Sequence, residues 1–141
     1  MKIFHIGKFN APHHSDLAYA EAFARAGHVV YRHQSNHIDP ELLKRVRPDL
    51  LFLGMIKGIE TAELERAKKV SGALLVCWWG DQRGNPYDGK VIGRASQSDW
   101  LLLTNSEPIQ MESYKKAGAK NVAFWPLAAN PDVFMPIVPT M

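Results

Sequence analysis

The chain has 141 residues, 46% of them hydrophobic and 22% charged, with 17 basic side chains against 14 acidic ones and a net charge of +3. That is the size and balance of one globular domain with a proper core, and the mild basicity, without clustered Lys and Arg, lacks the footprint of a nucleic-acid binder. Cys77 is the only cysteine, which excludes an intramolecular disulfide and a multi-cysteine zinc site. No apolar run approaches a membrane span, and the short Ile3-Phe4 run before His5 is no signal peptide, so a cytoplasmic protein is expected.

In chain order, Lys2–Ile6 reads as a first strand and Gly7–His14 as a loop. Ser15 can cap a helix that runs to about Ala26, with Gly27 as its stop. Val29-Val30-Tyr31 is a second strand. A polar loop, His33–His37, leads to Asp39, which can cap a short helix with Pro40 at its first position and Pro48 beyond its end. Asp49–Leu53 is a third strand. Thr61–Val70 is a helix with Glu63 and Glu65 early and Lys68 and Lys69 late, as the helix dipole favours, and Gly72 stops it. Ala73–Trp78 is a fourth, fully apolar strand, followed by a long polar loop, Trp79–Gly89, and a short helix or turn at Val91–Ala95.

Trp100–Leu103 is a fifth strand. Ser106 then reads as a helix N-cap with Glu107 and Pro108 in the first turn. Ile109, Tyr114 and Ala117 are expected on one face, Glu112 and Lys116 as an i,i+4 pair, and Gly118 as the stop. Val122–Trp125 is the last strand. Apolar strands alternating with amphipathic helices predict an α/β fold: a single Rossmann-like domain over residues 1–126, doubly wound on a mostly parallel sheet. Residues 127–141 are read as a crossing segment or tail.

A doubly wound sheet binds ligands at the carboxyl ends of its strands, where strand order reverses. In the order 3-2-1-4-5-6 that point lies between the first and fourth strands, so the loops Gly7–His14, Trp79–Gly89 and Asn105–Glu107 are the expected site. Gly7, Lys8, Trp79, Arg83, Asn105, Ser106 and Glu107 are its candidate binding residues. Neither G-x-G-x-x-G nor G-x-x-x-x-G-K-[ST] is present, which argues against an NAD enzyme or a P-loop NTPase. Asp81 follows Trp78-Trp79-Gly80, where a carboxylate between indole faces could orient or deprotonate a sugar hydroxyl; it equally suits a turn paired with Arg83. His13 and His14 read as a pair of solvated loop histidines before a helix N-terminus. Asn105-Ser106-Glu107 suits a helix cap, or an anion site at the helix N-terminus. His33 and His37 have a metal-ligand spacing but no further Cys or acidic cluster nearby, and the Met55–Gly58 turn after the third strand leaves Lys57 solvated or puts it near an anionic ligand; no metal or cofactor is expected.

The stretch T-N-S, a helix ending K-K-A-G-A-K-N-V, and P-L-A-A-N-P-D-V-F-M-P over residues 104–136 resembles the end of the N-terminal domain of GT-B-fold glycosyltransferases. The likeness is to the spore-maturation-type branch, where Trp78-Trp79-Gly80-Asp81 is similar to an aromatic-Asp turn. The resemblance implies an acceptor-side half-enzyme with Asp81, His13 and His14 as catalytic candidates. It also implies a sugar acceptor, a nucleotide-sugar held by a second Rossmann domain, and no transfer by this half alone. Val133, Phe134, Met135, Ile137, Val138 and Met141 would then support self-association. Two other classes stay open: a stand-alone flavodoxin-like or cobalamin-type small-ligand module, and a non-catalytic interaction subunit.

Overall fold

Six apolar runs form strands β1 (Lys2–Ile6), β2 (Val29–His33), β3 (Leu50–Leu53), β4 (Leu74–Trp79), β5 (Trp100–Leu103) and β6 (Val122–Phe124). Between them lie helices α1 (Ser15–Arg25), α2 (Pro40–Val46), α3 (Thr61–Ser71), α4 (Gly89–Gln97) and α5 (Pro108–Lys116). The structure, a computed structural model, describes residues 1–80, 89–126 and Val133. The expected catalytic Asp81, its partner Arg83 and most of the expected tail lie outside the described residues.

Local chemistry sets the helix ends. Asp39 accepts the Glu41 N–H at 2.9 Å and Pro40 opens α2. Arg47 closes α2 in the left-handed region (φ 50°), because Pro48 disfavours a helical residue before it. Gly72 closes α3 with φ 66°. Two expected caps fall one residue away. His14, not Ser15, is the N-cap of α1, and its side chain makes no cap bond. Glu107, not Ser106, is the N-cap of α5, because Asn105 Oδ1 accepts the Glu107 N–H at 2.8 Å and turns the chain first.

On α5, Ile109 is 76% exposed while Tyr114 is fully buried. Five residues put the two side chains roughly 140° apart around a helix, so they cannot share a face. Glu112 pairs with Lys115, at 3.5 Å, rather than with Lys116.

All six strands are parallel, in the order β2-β1-β3-β4-β5-β6. This is the doubly wound α/β fold in its flavodoxin-like order, and it corrects the expected 3-2-1-4-5-6. The reversal point moves accordingly: it lies between β1 and β3, and β3 separates β1 from β4. The loop after β3, not the loop after β4, therefore faces the β1 loop.

The two sheet faces are covered unequally. One carries the main core, with Leu43 and Val46 of α2, Leu64 and Ala67 of α3, Val91 and Ala95 of α4 and Tyr114 of α5 packed on Phe4, Ile6, Leu51, Leu53, Leu75, Leu101 and Leu103. The other carries a smaller cluster of Ile3, Phe52, Trp78 and Leu102, to which α1 alone of the described helices contributes, through Tyr19 and Phe23. Near the strand starts on that face Leu74 is 59% exposed and Trp100 44%. No helix among the described residues is long and apolar enough to cross a membrane.

Candidate functional site

The β1/β3 reversal point is built around Asp16, in the first turn of α1, which is 1% exposed. Its carboxylate collects donors from three elements. The Lys8 N–H donates to Oδ2 at 2.8 Å and the Met55 N–H to Oδ2 at 3.2 Å. His5, on β1 and wholly buried, has Nε2 3.3 Å from Oδ1. A carboxylate only accepts, so Nε2 carries the hydrogen. The His5 ring is held edge-on by Phe9 and Phe52, each with ring centroids 4.9 Å away. The N-terminal end of the α1 dipole adds a further favourable field for the negative charge.

Two glycines make the approach possible. A Cβ on Gly54 would lie 1.6 Å from Asp16 Oδ1, and one on Gly7 2.5 Å from its Cγ. Each glycine directly follows a strand, β1 or β3, so the main chain can close around the carboxylate where any side chain would collide with it.

The other side of the β3–α3 loop is held by Arg94 of α4, which is 8% exposed. Its Nη2 donates to Ile56 O at 2.5 Å and Nη1 to Gly54 O at 3.3 Å, while the guanidinium lies 5.0 Å from the Trp79 ring centroid. Burial lowers the Arg94 basicity, with the nearby Asp16 charge opposing, but an arginine remains charged. Burial pushes the Cys77 thiol up to about 12, the Arg94 charge opposing, so it is neither a nucleophile nor a ligand at neutral pH.

Above Asp16 lies a cavity of about 290 Å³ lined by Lys8, His13, His14, Ser15, Asp16, Met55 and Lys57. It brings together Lys8, His13 and His14 of the expected site with Lys57 of the turn after β3. Trp79 is 8% exposed and Trp78 3%, so neither offers the open indole face expected for a sugar ring. Trp78 packs under Gly80, whose missing Cβ would sit 2.8 Å from the ring, and against Tyr19. Asn105, Ser106 and Glu107 lie two strands away, after β5, where Asn105 caps its own turn and bonds Gln110. Gly7 lies in the site, where its missing Cβ leaves room for the Asp16 carboxylate.

The His33/His37 pair is structural. His33 Nε2 lies 2.9 Å from His37 O, and His37 Nδ1 lies 3.3 Å from Glu63 Oε1. Glu63 also accepts from Arg66 at 2.6 Å and from the Ile38 N–H at 2.5 Å. The Arg66 hydrogen bond is the main cause holding the Glu63 carboxyl below its usual range; burial opposes it. No group of three or more His, Cys, Asp or Glu among the described residues is placed to hold a metal.

No family model and no curated protein matches the sequence. Solved structures do resemble it. The BeF3-activated N-terminal receiver domain of Klebsiella pneumoniae RstA aligns at 15% identity over 88% of this chain and 85% of that one, TM-score 0.44. A CheY-like protein of Pseudomonas aeruginosa aligns at 16% over 94% and 93%, TM-score 0.47. A pilus assembly-related protein of Burkholderia pseudomallei aligns at 19% over 91% and 80%, TM-score 0.46. These likenesses lie in the fold and extend to no activity.

The glycosyltransferase expectation is corrected by these findings. The three structures named above are a receiver domain, a CheY-like protein and a pilus assembly-related protein, and none of the three is a glycosyltransferase domain. The half-enzyme reading, with its nucleotide-sugar and sugar acceptor, is withdrawn with it. Short helix-end and turn sequences such as K-K-A-G-A-K-N-V carry the resemblance, and they are set by local helix and strand geometry shared across α/β folds.

Asp16 was missed from sequence. Its signal was available: an acid in the first turn of α1, and a glycine directly after each of β1 and β3, at Gly7 and Gly54.

Proposed function

We propose that this chain is a non-catalytic module of flavodoxin-like topology that acts through protein contact. One observation carries the reading. At the reversal point, where such a sheet offers main-chain N–H groups to a ligand, those of Lys8 and Met55 are already spent on Asp16. The carbonyls of Gly54 and Ile56 are likewise spent on Arg94. The carboxylate is consumed by these bonds, so it is not poised as a base, a metal ligand or a phosphoryl acceptor. The contact reading is further supported by Leu74 and Trp100, exposed on the face where only α1 packs among the described helices.

Calorimetry with nucleotides, nucleotide-sugars, flavin, and BeF3⁻ with Mg²⁺ tests the first half, the last because one similar structure is a BeF3-activated domain. No binding tighter than millimolar is expected from any of them. Micromolar binding by one, or turnover of a nucleotide-sugar, would overturn the reading. A photo-crosslinking residue at position 100 tests the second half: discrete protein adducts are expected in cells, against none from position 44 on the opposite layer. Equal labelling from both positions would count against it.

A further inference from the structure

We infer that Asp16 is a resident anion: the fold carries a carboxylate-sized site at the β1/β3 reversal point and fills it with its own side chain. The site is complete without the Asp16 backbone. The Lys8 and Met55 N–H groups and His5 Nε2 converge on it from β1, the β1–α1 loop and the β3–α3 loop. Gly7 and Gly54 leave the space that the carboxylate occupies. Lys8 and Lys57 line the cavity immediately outside. Convergent N–H donors with a Cβ-free wall are how main chain recognises an anion. Here the anion arrives on α1 and joins two loops whose strands are neighbours in the sheet.

The consequence is a latent binding site for a small free carboxylate. Replacing Asp16 by Ala removes one carboxylate and leaves its donors in place, and formate is that missing group. The inference uses the same side chain as the proposed function, but its test is separate: that reading is tested by ligands on the native protein, this one by formate on a variant. If the native protein bound a nucleotide, formate rescue of the variant would still stand.

The experiment is thermal and denaturant unfolding of Asp16→Ala in sodium formate against sodium chloride at equal ionic strength. Formate is expected to stabilise the variant, lowering its unfolding constant about elevenfold when formate is tenfold above its dissociation constant. Native protein should show no difference between the two salts. Propionate, too bulky for the space between Gly7 and Gly54, should not rescue.

A folded variant that unfolds alike in formate and chloride would overturn the inference, as would equal stabilisation of native protein by formate. Should Asp16→Ala fail to fold in chloride, refolding yield becomes the readout. Recovery in formate alone supports the site, and failure in both salts, with Asp16→Asn folded, refutes it. Asp16→Asn fills the space with an amide, so it should be destabilised and indifferent to formate; rescue of Asp16→Asn would also contradict the proposed geometry.

Discussion

Two aspartates tie strands together at opposite ends of the sheet, in opposite surroundings. Asp99, just before β5, accepts the Leu75 N–H at 2.9 Å and is 20% exposed, with Lys68 Nζ at 2.7 Å and Lys120 Nζ at 3.7 Å. Asp16 is buried at the other end and has main-chain N–H groups and one imidazole where Asp99 has lysines. A partly exposed carboxylate whose lysine partners can return to water loses less when it is removed, although it leaves the Leu75 N–H behind. A buried carboxylate leaves its donors stranded, and stranded buried donors are what cost stability.

Removal of the buried carboxylate should therefore have the largest effect. Asp16→Ala is expected to cost about 3–5 kcal/mol, as breaking a buried hydrogen-bonded charge site does, measured by denaturant unfolding in chloride. A loss comparable to that at Asp99 would erase the contrast. Arg94→Met comes next, at about 2–4 kcal/mol, because it strands the buried carbonyls of Gly54 and Ile56.

Gly54→Ala should cost about 1–3 kcal/mol by overpacking against Asp16. The sharper prediction is the coupling. In the Asp16→Ala background the same change should cost less, because the atom it collides with is gone. Additive losses would mean that Gly54 is required for some other reason.

Asp99→Asn should cost about 1 kcal/mol, the scale of an exposed ion pair with a hydrogen bond. Burial alone would raise the Asp99 carboxyl. The hydrogen bonds from Lys68 and Leu75 and the charges of Lys68 and Lys120 outweigh it and hold the carboxyl below its ordinary 3.8. A carboxyl depressed in the folded state stabilises fully above its unfolded value and loses that contribution as pH falls through the folded one. The stability gap between native protein and Asp99→Asn should thus be constant above about pH 5 and close on acidification below about pH 4. A gap that widened in acid would contradict the assignment.

The contrast also explains what could be read from sequence. Asp39-Pro40, Gly72 and the apolar strands act locally, so caps, stops and the α/β alternation follow from neighbouring residues. The strand order does not. Whether the third strand lies outside the second or beside the first depends on where the loop after β2 carries the chain, and no residue near it states that choice. The position of the site inherits the same dependence. Loops chosen for a β1/β4 reversal point left the turn after β3 outside the expected site, with only Lys57 weighed there, so the packing of Gly54 and the Met55 N–H on Asp16 entered only with the fold. Asp16 meets its partners across 39 residues of chain at Met55, a distance at which helix and strand periodicity are silent. Trp78 and Trp79 suggested an aromatic binding wall, but alternation on a strand buried on both faces directs both inward.

The most direct test of the account is native-state amide hydrogen exchange at Lys8 and Met55, in the native protein and in Asp16→Ala. If the Asp16 carboxylate holds these two N–H groups, both should exchange slowly in the native protein, although they lie in loops, and both should speed up together in the folded variant while the amides of β4 and β5 stay protected. Fast loop-like exchange at Lys8 and Met55 in the native protein, or rates unchanged by the substitution, would show that the reversal point is not closed by Asp16.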